Sequence, residues 1–445
     1  MFPPLSGFPA KKVKRAWCLY DWANSAYNLV ITTTVFPVYY LAVTTVGTGK
    51  GNDVVDFFGW KVINSALLNY AIAVAYLIIA FLSPVLSSIA DYKGNKKRFM
   101  QLFTTMGALA CCGLYFFYPG HVAYGIGLAV IAAVGYCGSL VFYNAFLPEI
   151  AHEHEQDKLS ARGFAFGYIG SVLLQVICLV FILYDFKDKT FAPRLSFLLV
   201  GIWWLGFAQI TFKYLPSSTA SAAGGSRNDW LRGGFRELRK VAGQIKGLPV
   251  LKLFLPAFFF YSMGVQTVML AAAEFGSKEI MVFKEGHWVH VGASDLIPII
   301  LLIQLVAIGG AFLMAKLADV WGNIVVLMLS VAVWIGICFC AYFIHTLNQY
   351  YLLAVAVGLV MGGIQALSRS TYTRLMPETR DTASFLSFYD VMEKCSIVLG
   401  MFTFGFLENI TGSMRQSIIA LAVFFLIGGF LLFLAHRRKK KALAL

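Results

Sequence analysis

The chain has 445 residues, 59% of them hydrophobic and 13% charged, with a formal net charge of +14. A soluble domain carries about 25% charged residues, so this composition excludes a soluble protein and points to a multi-pass membrane protein. The excess basic residues fall in short loops, as the positive-inside rule requires, so nucleic acid is not an expected partner.

The first fifteen residues are polar and end in Lys11, Lys12, Lys14 and Arg15 without a small-residue cleavage pattern. The first helix is therefore expected to serve as an uncleaved signal anchor. Apolar runs long enough to cross a bilayer recur about twelve times, at 17–43, 62–90, 99–118, 121–146, 163–184, 195–215, 251–273, 295–317, 324–344, 350–373, 384–407 and 416–435. An even number of spans puts both termini on one side. That side also receives Lys93, Lys96, Lys97 and Arg98, the 213–250 connection and the tail Arg437 to Lys441, so it is expected to be cytoplasmic.

Within the first span, Asp21, Asn24, Asn28 and Thr32 are spaced by three or four residues and would share one helix face. A carboxylate near mid-bilayer costs about 2.5–3.5 kcal/mol, so the stripe should face protein or water. The longest cytoplasmic connection, 216–249, opens with a Ser/Ala/Gly-rich linker. It continues as a basic stretch with Leu231, Phe235, Leu238 and Val241 at helical spacing. That pattern suits an amphipathic helix on a surface of anionic headgroups.

The halves repeat. Ala90-Asp91-Tyr92-Lys93-Gly94-Asn95 matches Ala318-Asp319-Val320-Trp321-Gly322-Asn323, with 319 − 91 = 228. Leu147-Pro148-Glu149 answers Met376-Pro377-Glu378, with 377 − 148 = 229. Two motifs at nearly one offset imply a six-plus-six duplication. The turns carrying Asp91, Gly94 and Lys96, and Asp319 and Gly322, are candidate gates. Each carboxylate can accept N–H groups at a helix start, and each glycine permits the reversal.

The turn after span two resembles the signature loop of the major facilitator superfamily, with Ser87 at its first glycine position and Tyr92 at its usual base. More specifically, Tyr20 to Ala26, Asn144 to Glu149 and Gly362 to Ser370 resemble the vacuole-effluxer-like branch of that superfamily. That branch holds the autophagy-related vacuolar amino-acid effluxers and their bacterial relatives. The resemblance implies that spans one, four, seven and ten line a central cavity and that the solute is an amino acid.

Span eleven holds Asp390, Glu393 and Lys394 about a third to halfway across the bilayer. Asp390 and Lys394 form an i,i+4 pair, but two acids to one base leave a surplus carboxylate able to carry a proton. Arg369 of span ten either clamps a solute carboxylate or pairs with Asp21 or a lipid headgroup. Gln365 of span ten, Gln266 of span seven, and Tyr143 and Asn144 of span four complete the candidate solute and ion pathway.

Other signals are weaker. The eight cysteines all fall in predicted spans and read as packing residues. His152 to Glu155 and His287 to His290 read as hydrophilic loops, and no Walker loop supports ATP-driven transport, so neither metal nor cofactor is expected. The expected protein is an all-α polytopic membrane protein of the major-facilitator type with twelve transmembrane helices. Its halves would be 1–215 and 250–445, joined by a cytoplasmic linker at 216–249. It would act as a monomeric secondary transporter of a small polar solute, with protons as the candidate coupling ion. A bacterial-type inner membrane is favoured over a vacuolar one. The alternatives are a membrane enzyme acting on a lipid-linked substrate, whose Mg²⁺ would need clustered carboxylates where Glu149 and Glu153 are scattered, and a transporter-like sensor.

Overall fold

The computed structural model describes residues 8–45, 54–183, 188–217, 230–284, 286–291, 293–379, 381–411 and 413–443. Its spanning segments are long helices. The first is composite: α1 (Ala10–Tyr27), a π-helical stretch (Asn28–Thr34) and α2 (Val35–Thr44). Then come α3 (Asn64–Lys93), α4 (Lys96–Gly113), α5 (Val122–Ala145) with a short α6 (Leu147–Ile150), α7 (Glu153–Leu183) and α8 (Phe191–Tyr214). After the linker helix α9 (Trp230–Lys246) follow α10 (Leu251–Glu279), α11 (Ala293–Trp321), α12 (Asn323–Phe343), α13 (Leu347–Leu375), α14 (Thr382–Thr411) and α15 (Met414–Leu443).

Among the described residues, eleven segments are long and apolar enough to span a membrane. The twelfth, α14, matches them in length but carries Asp390, Glu393 and Lys394 in mid-helix. Several helices outrun the apolar runs that announced them. α7 begins ten residues before the predicted start at 163. Its first turns are polar and satisfied by protein contacts, so hydropathy alone missed them.

The chain forms two compact units. One comprises Met1–Phe146, Phe166–Gly234 and Arg380–Ala383, the other Leu147–Ala165, Phe235–Thr379 and Ser384–Leu445. The first turns of α7 therefore belong to the second unit, and the first turn of α14 belongs to the first.

In the first unit, α4 and α5 approach backbone to backbone where Gly107 meets Gly135. Small residues permit such contact without a hydrophobic driving force in lipid. Gly167 and Gly170 of α7 do the same against Asp21, Ser25 and Trp22 of α1. Trp17, Tyr20, Tyr143 and Trp204 are fully buried at the centre. In the second unit, Gly310 of α11 lies against the Leu359 carbonyl, and Gly363 of α13 lies against Met314.

Two β-hairpins were not foreseen. β1 (Val54–Phe57) pairs with β2 (Trp60–Ile63), and β3 (Met281–Lys284) pairs with β4 (His287–His290), both antiparallel. They are copies of each other: 281 − 54 = 227 and 290 − 63 = 227. Val55 opposite Val62 and Val282 opposite Val289 make the inner face of each. Gly59 and Gly286 turn with φ near +83° and +87°. Four-residue strands are too short to show an alternating pattern against their apolar surroundings.

An arginine is pinned near the start of α8 in the first unit and of α15 in the second. Arg194 of α8 bonds Asp188 at 2.8 Å and lies over the Tyr118 ring at 4.0 Å. Bonds from Thr190, with Arg194 beside it, hold the Asp188 carboxyl below its usual range. Arg415 of α15 donates to the Glu279 carboxylate at 2.7 Å and to the carbonyls of Glu279, Tyr342 and Ile344 at 2.8, 2.8 and 2.6 Å. Those carbonyls end α10 and α12, where helices leave acceptors unpaired.

Residues Trp230–Lys246 form a helix, α9, with Val241 and Ile245 buried and Arg236, Arg239 and Lys240 exposed. The Ser/Ala/Gly-rich residues 218–229 and the side chains of Leu231, Phe235 and Leu238 lie outside the described residues.

Candidate transport pathway and gating residues

The polar stripe of span one is real only in part. Asp21 and Asn24 are buried, but the π-helical turn at Asn28 breaks the α-helical spacing, and Asn28 and Thr32 are only half-buried. Asp21 lies well inside α1, not at its start. Its carboxylate accepts the Tyr143 hydroxyl at 2.7 Å. The Tyr143 ring stacks on Trp17 at 4.5 Å, and Trp17 Nε1 donates to the Tyr143 carbonyl at 3.0 Å. Span one and span four are thus joined through an acid that lipid could not tolerate. Asn144, next to Tyr143, is half-buried.

The turn between α3 and α4 holds the start of α14. Gly94 takes the left-handed conformation, φ 64°, and ends α3. Asp91 and Lys96 pair at 3.0 Å, both 3% exposed. Asp91 accepts the Ala383 N–H at 3.2 Å, and Lys96 Nζ donates to the Thr382 hydroxyl at 2.6 Å. Both partners sit in the first turn of α14, where orphan N–H groups and the helix dipole favour a carboxylate.

The repeated turn between α11 and α12 holds the start of α7 by different atoms. Among the described residues, Asp319 pairs with the exposed Lys158, at 3.1 Å, while Gly322 turns with φ 83°. The buried contact comes from Asn323, whose Nδ2 donates to Asp157 at 2.6 Å and to Thr371 at 3.1 Å. Arg374 donates to the same Asp157 carboxylate and to Asn323 Oδ1, and Gln156 accepts from Thr373 at 2.7 Å. Glu153 and Glu155 form the first turn of α7, so the segment read as a hydrophilic loop is helical.

Arg369 is buried at 4% exposure, which corrects the headgroup alternative. Its guanidinium donates to the hydroxyl and carbonyl of Ser160 at 3.0 and 3.1 Å and covers the Phe164 ring at 4.4 Å. Ser160 in turn donates to the Ala366 carbonyl at 2.8 Å.

The acids of span eleven form a cluster within α14. Lys394 Nζ lies 2.9 Å from Glu393 and 3.4 Å from Asp390, and Asp390 Oδ2 has no hydrogen-bond partner among the described residues. Gln266 of α10 approaches Glu393 at 3.4 Å. Nearby, Tyr261 bonds Ser368 at 2.6 Å, and Tyr389 stacks on Phe258 at 4.2 Å. Gln365 is half-buried, with its amide 3.4 Å from the Met269 sulfur. Gln266 and Glu393 are thus brought together, while the hydrogen bonds of Arg369 described above go to Ser160.

The sequence reading missed Asp157, Ser160, Asn323, Arg374 and Thr382. Asn323 had a signal, since it closes the repeated Ala-Asp-x-x-Gly-Asn motif. The others lie at helix ends, and no spacing rule joins them.

The model of the family described as vacuole effluxer Atg22-like matches residues 9–444. The chain belongs to this family. It is 31% identical over 423 residues to an uncharacterized MFS-type transporter, YxiO, of Bacillus subtilis (strain 168), covering 94% of this chain and 93% of that one. It is 25% identical to autophagy-related protein 22 of Coccidioides immitis (strain RS), covering 85% and 74%. Its fold matches the structure of the MFS proton:xylose symporter XylE with a TM-score of 0.70 at 11% identity, over 95% of each chain. The Atg22-like chain is thus a multi-pass secondary transporter of the major facilitator superfamily, and not an enzyme.

Proposed function

We propose that this transporter moves a small zwitterionic solute, an amino acid, by alternating access between halves 1–215 and 250–445, with protons as the coupling ion. The carrying observation is the α14 cluster: Asp390 and Glu393 share the single base Lys394 inside a spanning helix, and Gln266 reaches Glu393. Two acids and one base in a low dielectric accept one proton at modest cost, and the same groups complement a solute bearing an ammonium and a carboxylate. A structure of the same fold is named as a proton:xylose symporter, which makes protons the coupling ion to test, and the motif resemblance to vacuolar amino-acid effluxers favours an amino acid by analogy.

The turns at Asp91–Lys96 and Asp319–Asn323 act as gates. Each holds the first turn of a helix from the other sequence half, a contact that alternation would break and remake. Both termini are cytoplasmic, in a bacterial-type inner membrane.

The test is uptake of labelled amino acids into proteoliposomes with and without a pH gradient, for the wild type and for Asp390→Asn and Glu393→Gln. Gradient-driven accumulation that survives in both variants would remove the proton assignment.

A further inference from the structure

Span one is held at both ends and contains one residue too many in between. On the α1 side, Tyr20 bonds Thr104 at 2.6 Å and Asp21 accepts Tyr143 at 2.7 Å. On the α2 side, Tyr39 donates to the Phe117 carbonyl at 2.7 Å, and Asn64 donates to Thr44 at 3.0 Å. Between them, Asn28–Thr34 is π-helical, and Val35 N–H still reaches back five residues to Val30. A π stretch of this kind is an α-helix with one inserted residue.

Side chains reinforce the wide turn. The Thr33 and Thr34 hydroxyls donate five residues back, to the Asn28 and Leu29 carbonyls at 2.9 and 2.7 Å. Gln175 of α7, 1% exposed, lies 2.8 Å from the Thr34 hydroxyl. One hydroxyl hydrogen cannot serve both Leu29 and Gln175. With the amide turned over, Gln175 Nε2 donates to Thr34 and Thr34 donates to Leu29. Pro37 supplies no N–H, which weakens the ladder just beyond. Beside the stretch lies a cavity of about 20 Å³, room for a water and not a solute, lined in part by Tyr27, Ile31, Thr32, Phe36, Pro37 and Tyr136.

We propose that Asn28–Thr34 is a movable register fault, latched by Gln175, whose migration along span one turns Thr32 and its neighbours into and out of this cavity. Simple relaxation to an α-helix would rotate α2 by one residue, about 100°. That would expose Tyr39 and Tyr40, both buried here. Migration leaves α2 in place and turns only the residues the fault passes. The proposal rests on the transporter reading for its use alone, since the motion is measured without a solute.

The test is hydrogen exchange by mass spectrometry on the full chain in lipid nanodiscs, resolving peptides across residues 17–44. Amides of 28–34 should exchange at least about tenfold faster than those of 17–24, and Gln175→Ala should accelerate them severalfold further with the flanks unchanged. Deleting Thr33 should slow 28–34 to the rate of its neighbours while Tyr39–Thr44 stay protected. Equal exchange across 17–44 in the wild type, or no response to Gln175→Ala, overturns the proposal. So does loss of protection at Tyr39–Thr44 in a folded deletion variant. If the deletion variant does not fold, the Gln175→Ala comparison decides alone.

Discussion

Lys96→Met separates a gate from a static cap at the α3–α4 turn. The substitution keeps most of the side-chain volume but removes the 3.0 Å pair with Asp91 and the 2.6 Å bond to Thr382. Breaking a buried ion pair from one side costs about 3–5 kcal/mol, because the remaining charge stays buried. The Ala383 N–H still donates to Asp91, which places the expected cost at the low end, about 3 kcal/mol. If the contact exists in only one of two states, the protein escapes most of that cost by populating the other. A 3 kcal/mol bias is a shift of about 100-fold in the ratio of states. The assay is the alkylation rate of a cysteine at Ser384→Cys, 3% exposed here, read on its own peptide alongside the melting temperature. Lys96→Met should raise the rate by up to about 100-fold with a fall of only a few degrees in Tm. Adding Asp91→Asn should recover Tm while labelling stays fast. An unchanged labelling rate together with a large loss of Tm would refute the gate and leave a static helix cap.

Other outcomes follow from single contacts. Arg415→Met leaves Glu279 and the carbonyls of Tyr342 and Ile344 without their donor, and should cost about 2–3 kcal/mol in a denaturant titration; Glu279→Gln in the same chain should recover part of it. Tyr143→Phe removes one hydrogen bond to the Asp21 carboxylate while keeping the ring stack, so it should cost about 1.5–3 kcal/mol, and no loss would mean that Asp21 is served by other donors. Gly135→Ala drives a methyl into the Gly107 backbone and should destabilise by about 1–3 kcal/mol, seen as a lower melting temperature. Asn323→Leu should destabilise more than Asp319→Asn, because Asn323 bonds buried Asp157 while Asp319 faces a largely exposed Lys158.

Much of this architecture was legible in the sequence because lipid makes hydropathy an unusually direct signal. Among the described residues, each of the twelve predicted runs lies in a long helical segment, and the repeated Ala-Asp-x-x-Gly-Asn motif marked two turns that each receive a helix start. The failures share a cause. Period-3.6 reasoning assumed one regular helix for span one, and the π turn at Asn28–Thr34 divides its polar stripe. Residues that act across helices, such as Asp157 with Arg374 or Ser160 with Arg369, are more than 200 positions apart, and no local pattern joins them. The repeat itself misled at one point. Asp91 carries the buried contact in the first copy, but Asn323 carries it in the second, while Asp319 drifts to the surface.

In the proposed mechanism the α14 cluster couples protons to the movement of an amino acid. The direct measurement is a pH trace inside proteoliposomes holding the purified full-length protein, recorded as a mixture of amino acids is added outside without an imposed gradient. A solute-dependent change in internal pH is expected, abolished in Glu393→Gln while solute exchange at equilibrium persists. Solute flux with no pH change, identical in wild type and Glu393→Gln, would contradict it.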